Sequence, residues 1–388
     1  MELVEEEICD LKNDLLPENW WVRNIAENST LKARIGWQGL TTAEYLDNGN
    51  YYLVTGTDFE NGRINWSTCH FVTKERFLQD RNIQLRLEDN LITKDGTIGK
   101  VAYIDKLPLE TTLNSGVFVI RPKYDEYVPL YLYYIFNSTF FRTFLNELVA
   151  GSTINHLYQK EFVKFSFPLP KSKNEQTAIA IALSDADDLI NSLEKLIEKK
   201  RNIKQGAMQK LLQPKEGWEM KKLGEVAKTI SSGKSNTQSK GDLYPIYGST
   251  EIIGWKNYYD YEGNKILAAR VGANAGTLYK VFGKYCVSDN TLMITTKNDV
   301  DMEFIFFILN SFNLNSLVFG SGQPLITGNQ LKNLKISLPS TKTEQTRIAT
   351  ILSDMDSEIL ALENKLEKYR EIKVGMMQNL LTGKIRLV

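Results

Sequence analysis

A handful of polar stretches carry the side chains best suited to gripping a ligand. Arg270 and Asn274 lie in RVGANAG, and Lys94 and Thr97 lie in KDGTIG. Arg matches guanine O6 and N7, and Asn matches adenine N6 and N7, through paired hydrogen bonds in the major groove of duplex DNA. The glycines let backbone approach a ligand closely. SSGKSNTQSK, residues 231–240, offers Lys234 and Lys240 to phosphates and Asn236 and Gln238 to bases. A nucleotide-binding reading of its Gly233-Lys234-Ser235 fails, because the phosphate-loop motif needs a glycine where Lys228 stands. Ser152, Thr153 and Asn155, Ser249 and Thr250, and Gln323 and Thr327 complete the candidate DNA-binding set, all in polar loops beside apolar runs. A structural hairpin or a plain solvated loop competes with this reading at every one of these positions.

Catalytic chemistry is harder to find. His70 and His156 stand far apart with no ligand cluster around them, so each reads as a loop or surface residue, although His156 is placed beside Asn155 to touch DNA. No NPPY- or DPPY-type motif positions an amino group for methyl transfer, no glycine-rich cofactor loop follows a strand, and no nuclease-type carboxylate cluster is evident. The expectation is a chain without catalytic residues, resident metal or cofactor.

The elements holding these loops follow from a repeat. NEQTAIAIALSD, residues 174–185, returns as TEQTRIATILSD, residues 343–354, at an offset of 169 (344 − 175). The same offset joins Leu193 to Leu362, Arg201 to Arg370, Gly206 to Gly375 and Gln209 to Gln378. Apolar residues recur in steps of three and four: Ile179, Leu183, Ile190, Leu193 and Ile197 in the first copy, and Ile348, Leu352, Ile359, Leu362 and Leu366 in the second. That period predicts two long helices with a helix–helix seam. Leu189, Leu196 and Ile203 widen the first stripe, as for a helix touching more than one neighbour. A long helix with one apolar stripe is not stable alone in water, and its simplest partner is its own copy.

The intervening segments correspond more loosely. Each has short β-rich runs (YYLVTG and GVFVIRP; DLYPIYG and TLMITT), then an aromatic helix (residues 130–145; 302–310), then a last strand ending Leu-Pro. The fold class is therefore α/β (α+β): two similar mixed domains and two long helices in tandem. The expected boundaries are an acidic segment 1–18, domains 19–173 and 215–342, helices 174–214 and 343–383, and a tail 384–388.

Composition agrees. A chain of 388 residues exceeds one ordinary core, and 42% hydrophobic with 24% charged residues is that of a soluble globular protein. The acidic start is no signal peptide, and the densest apolar run, residues 304–309, is too short to span a bilayer. Three scattered cysteines fit a reducing cytoplasm. Net charge is zero, but residues 217–342 carry 14 Lys+Arg against 10 Asp+Glu, a net of +4. That is compatible with DNA binding without demanding it.

With the tandem, the EQ-led helices and the late Gly-Ser…Leu-Pro elements (Gly151-Ser152 to Leu169-Pro170; Gly320-Ser321 to Leu338-Pro339) assembled, the chain resembles a type I restriction–modification specificity (S) subunit over nearly its whole length. The resemblance implies two target-recognition domains, each reading half of a split DNA sequence. It implies helices packed as an antiparallel coiled coil, with pseudo-two-fold symmetry, that spaces those domains. It further implies partners: two methyltransferase (M) subunits that modify adenine N6, and restriction (R) subunits that cleave. S-adenosylmethionine, ATP and Mg would belong to those partners. The loops of the two domains differ, so the half-sites should differ. The rival readings are a coiled-coil adaptor without DNA specificity, and a nuclease or methyltransferase with an unrecognised site.

Overall fold

The computed structural model describes residues 16–35, 39–150, 156–236, 241–318 and 325–387. The chain divides into two compact units, residues 1–192 with 367–388 and residues 193–366. Both boundaries fall inside the long helices, Lys173–Leu211 and Lys342–Leu380, of 39 residues each. Each unit therefore contains one globular domain and a stretch of both helices.

In unit 1, Trp20–Asn24 pairs antiparallel with Ser166–Pro170 and so ties the domain's ends together. A four-stranded antiparallel sheet runs in the order Ser29–Lys32, Val117–Pro122, Asn90–Thr93, Val101–Tyr103. A second sheet sets Tyr51–Val54 parallel to Glu110–Leu113 and antiparallel to His70–Phe71. Unit 2 repeats the plan. Trp218–Lys222 pairs with Lys335–Pro339, and Ala227–Ser232, Thr291–Thr296, Lys265–Ala269 and Leu278–Val281 form the four-stranded sheet. Tyr244–Gly248 runs parallel to Lys284–Val287 and antiparallel to Glu251–Lys256. The looser likeness of the domains in sequence is thus a likeness in strand order, with two differences: unit 2 adds Tyr261–Glu262 beside Lys284–Val287, and unit 1 adds a small hairpin of Phe59–Glu60 and Arg63–Ile64.

One element differs from expectation. The aromatic segment of unit 1 is two helices, Pro129–Phe136 and Thr139–Ala150. Asn137 Nδ2 donates to Tyr133 O at 2.7 Å and Ser138 Oγ to Ile135 O at 2.6 Å. Side chains that capture the preceding turn's carbonyls compete with helix continuation. Its counterpart, Met302–Asn310, is a single helix as expected.

The repeated Glu-Gln at each long helix start now has a physical reason. Gln176 is buried; its Oε1 accepts from Val128 N (2.8 Å) and its Nε2 donates to Pro170 O (2.8 Å). Gln345 does the same with Asp301 N and Pro339 O, both at 2.9 Å. One amide staples the long helix to the last strand and to the aromatic helix's N-terminus in both units. Gln345→Ala leaves a buried N–H and a buried C=O unsatisfied, so it should destabilise unit 2 by about 1–3 kcal/mol, read as a lowered urea midpoint.

The long helices pair antiparallel within each unit. In unit 1, Asp187 is paired with Lys373 and Glu175 with Arg386. In unit 2, Lys200 meets Glu358 at 2.6 Å, Arg201 meets Glu363 at 2.5 Å, and Lys204 meets Asp356. Exposed ion pairs contribute little stability; burial does more. Ile179 and Leu183 lie in the unit 1 core with Tyr131, Ile135, Leu380 and Leu381, and Ile348 and Leu352 lie in the unit 2 core with Phe304 and Ile308. These four therefore anchor each helix to its own domain as well as to the facing helix. Leu193, Ile197, Ile359 and Leu366 are buried, while Ile190 and Leu362 are half-buried. Leu189, Leu196 and Ile203, expected to touch a second neighbour, are instead exposed.

Candidate nucleic-acid interface

The loops that carry the candidate residues are built on one main-chain frame, used twice. In unit 1, Thr93 N donates to Lys100 O (3.0 Å), Gly99 N to Thr93 O (2.9 Å), Lys94 N to Gly116 O (2.8 Å), Leu157 N to Lys94 O (2.8 Å) and Asn114 N to Val54 O (2.9 Å). In unit 2, Ala269 N donates to Thr277 O (2.9 Å), Gly276 N to Ala269 O (2.8 Å), Arg270 N to Asn290 O (3.1 Å), Ile326 N to Arg270 O (2.8 Å) and Ser288 N to Tyr247 O (2.9 Å). Every bond has its counterpart. The loop glycines match as well: Gly96 and Gly272 have φ of +69° and +74°, and Gly99 and Gly276 have +80° and +93°. Only glycine takes that backbone without strain.

Each frame gathers four segments: the hairpin loop, the turns that follow the two parallel strands, and the segment before the last short helix. It thereby brings Lys94, Thr97 and His156 together in unit 1, and Arg270, Asn274, Ser249 and Thr250 together in unit 2. Thr97, Asn274 and Thr250 are exposed. The Lys94 ammonium lies 5.4 Å from the Phe118 ring centroid, so this cation rests on an aromatic face. Arg270 NH1 donates to Asp289 O at 3.3 Å, and its buried Nε has no protein partner. Ser249 Oγ donates to Asn290 O at 2.9 Å. Burial pushes the Tyr279 phenol up to about 12, so it stays protonated and donates to Gly248 O, fixing the base of that turn.

Other candidates are placed differently. Thr327 caps the helix Gly328–Asn333: its Oγ1 accepts from Gln330 N at 3.2 Å and its N donates to Gln330 Oε1 at 2.8 Å. Its hydroxyl is committed to the fold. In the SSGKSNTQSK stretch, Ser235 is buried, accepting from Val287 N at 2.9 Å and donating to Asp260. A side chain at Gly233 would run into Val287 O. That stretch packs on a strand there and forms no phosphate cradle, while Lys234 and Asn236 are exposed. Ser152, Thr153, Asn155, Gln238, Lys240 and Gln323 lie outside the described residues.

Three participants escaped the sequence reading. Asp95 contacts His156, Asn290 accepts from both Arg270 and Ser249, and the Thr55–Thr57 turn follows Val54 as Gly248–Thr250 follows Tyr247. A side chain at Gly56 would meet Thr93 Cγ2, which puts that turn against the hairpin loop. The signal was present in YYLVTGT beside YPIYGST, two strands ending in the same small hydroxylated turn.

Among the described residues, no group of three or more His, Cys, Asp or Glu could hold a metal ion, and no helix is long and apolar enough to cross a membrane. The acidic leader's end is docked: Leu16 packs on the unit 1 core, and Lys171 Nζ donates to Glu18 O at 3.1 Å.

Known proteins match this architecture end to end. The type I restriction enzyme MjaVIII specificity subunit of Methanocaldococcus jannaschii is 26% identical over 437 residues, covering 99% of this chain and 97% of its own. The EcoprrI specificity subunit of Escherichia coli is 22% identical over 366 residues, covering 87% of each. The crystal structure of a type I restriction–modification S subunit from M. genitalium superposes with a TM-score of 0.66 at 18% identity, covering 96% of this chain and 98% of that one. A chain from a study of type I restriction–modification complex assembly gives 0.54 at 16% identity, with 95% and 99% covered. The family model for the type I restriction modification DNA specificity domain matches twice, over residues 17–205 and 215–373. The chain belongs to that family and carries its domain in duplicate.

Proposed function

We propose that this chain is the non-catalytic DNA-recognition subunit of a type I restriction–modification complex. One observation supports this beyond family membership: an equivalent main-chain frame, its hairpin loop one residue longer in unit 2, presents two unlike sets of side chains, KDGTIG and RVGANAG. Such a frame suits a molecule that reads two different half-sites with one mode of approach. Base contacts are short range and reach only the edges exposed in the groove. A split target therefore needs two readers and something to fix their separation, a task we assign to the paired helices. The domains would act in the ranges 19–173 and 215–342. Two M subunits supply S-adenosylmethionine-dependent methylation of adenine, R subunits supply ATP- and Mg-dependent cleavage, and the cytoplasm is the site of action.

Methylome sequencing of a host carrying this chain with its M subunit tests the reading. The expected result is one bipartite motif with unlike halves. Exchanging residues 19–170 for a relative's domain should change one half alone, and adding two helical turns to both long helices should lengthen the unread gap. Absence of any bipartite motif, together with no salt-dependent duplex binding by the complex, would favour an adaptor.

A further inference from the structure

We infer that Asp95, oriented by His156, reads a cytosine in one half-site, and that Val271 with Leu325 meets a thymine methyl at the corresponding place in the other. This rests on the DNA-reading role proposed for the two loops. The correspondence is set by the frame. Asp95 follows Lys94 as Val271 follows Arg270, and the isolated bridges Asp95 to His156 and Val271 to Leu325 join the same two segments in each unit. At this one matched position the chemistry is opposite, a carboxylate with an imidazole against two aliphatic side chains.

An exposed carboxylate on a DNA-facing loop repels phosphate, so it needs a donor on the nucleic acid. Among base edges in the major groove, cytosine offers its N4 amino group without an acceptor of its own beside it. Adenine's N6 amino group neighbours N7, which repels a carboxylate. His156 Nδ1 occupies Asp95 Oδ1, which leaves Oδ2 to accept from a base. Gly116 keeps that side open, since a Cβ there would stand 3.6 Å from Oδ2. Val271 and Leu325 have nothing to offer an amino group, and apolar contact is how the thymine methyl is read.

The test uses the chain with its M subunit in a host, read by methylome sequencing, with melting of each purified complex as a check of folding. Asp95→Asn keeps the shape but can donate as well as accept, so it should relax one position of one half-site. The double variant Asp95→Val, His156→Leu should lose preference for cytosine there on the order of 10- to 100-fold and move toward thymine, with the other half-site unchanged. Val271→Asp should alter the other half instead. The inference is overturned if these variants keep the wild-type motif, or if they melt normally yet lose methylation at all sequences alike, which is the mark of a phosphate contact. A wild-type complex with no bipartite motif would overturn the underlying reading as well.

Discussion

Leu352→Asp is expected to unfold unit 2. Leu352 is fully buried among Phe304, Ile308 and Ile348, and a carboxylate placed there has only aliphatic and aromatic neighbours. Desolvating an unpaired charge in such a site costs more than ~4 kcal/mol, which approaches the whole stability of an ordinary domain. Leu183→Asp should do the same to unit 1, because Leu183 occupies the matching core position at the same depth. Circular dichroism during urea titration will read either loss. Leu189→Asp and Leu196→Asp, on the exposed side of the same helix, should stay within about 0.5 kcal/mol of the parent. A Leu352→Asp protein that also stayed there would show that the helix does not enter the domain core.

Arg386→Ala is the second large effect. The Glu175 side chain is only 1% exposed, and Arg386 pairs with both of its oxygens, NH2 to Oε2 at 2.7 Å. Removing the guanidinium strands a buried carboxylate, a change of about 3–5 kcal/mol. Adding Glu175→Gln removes the charge and should return part of that loss. A double variant no more stable than Arg386→Ala would contradict this account. Unit 2 satisfies the repeated glutamate differently: Trp218 Nε1 donates to Glu344 at 3.5 Å, whereas the matching Trp20 Nε1 has no protein partner. Arg386 stands where the tryptophan could have served, its guanidinium carbon 6.0 Å from the Trp20 ring.

Periodicity made the helices legible, because apolar spacing survives duplication and depends on few neighbours. It could not tell which stripe residues face a domain and which face the other helix, since Ile179 and Ile190 look alike in sequence yet only the first is fully buried. The break at Asn137-Ser138 was hidden for a similar reason: an aromatic run reads as one helix until its polar side chains find carbonyls. The loops were legible as a pair from their glycines. The meeting of the two turns after the parallel strands was not, because Val54 and Asn114 meet only through a strand pairing that joins residues far apart in the chain. Thr327 shows the limit of residue type as a guide, for a threonine hydroxyl in a polar loop serves a helix cap as readily as a ligand.

The bonds that the two hairpin loops share run from amide to carbonyl, and the side chains that brace them from outside are Thr93, which donates to Thr97 O and accepts from Lys100 N, and Asn315, which donates to Ala275 O. The exposed side chains of Thr97, Ala273 and Asn274 take no part in that shared frame. On the proposed reading, variation at these positions would change what is recognised while the scaffold stays intact, so a lineage carrying this chain could drift from one target to another without passing through an unstable ancestor.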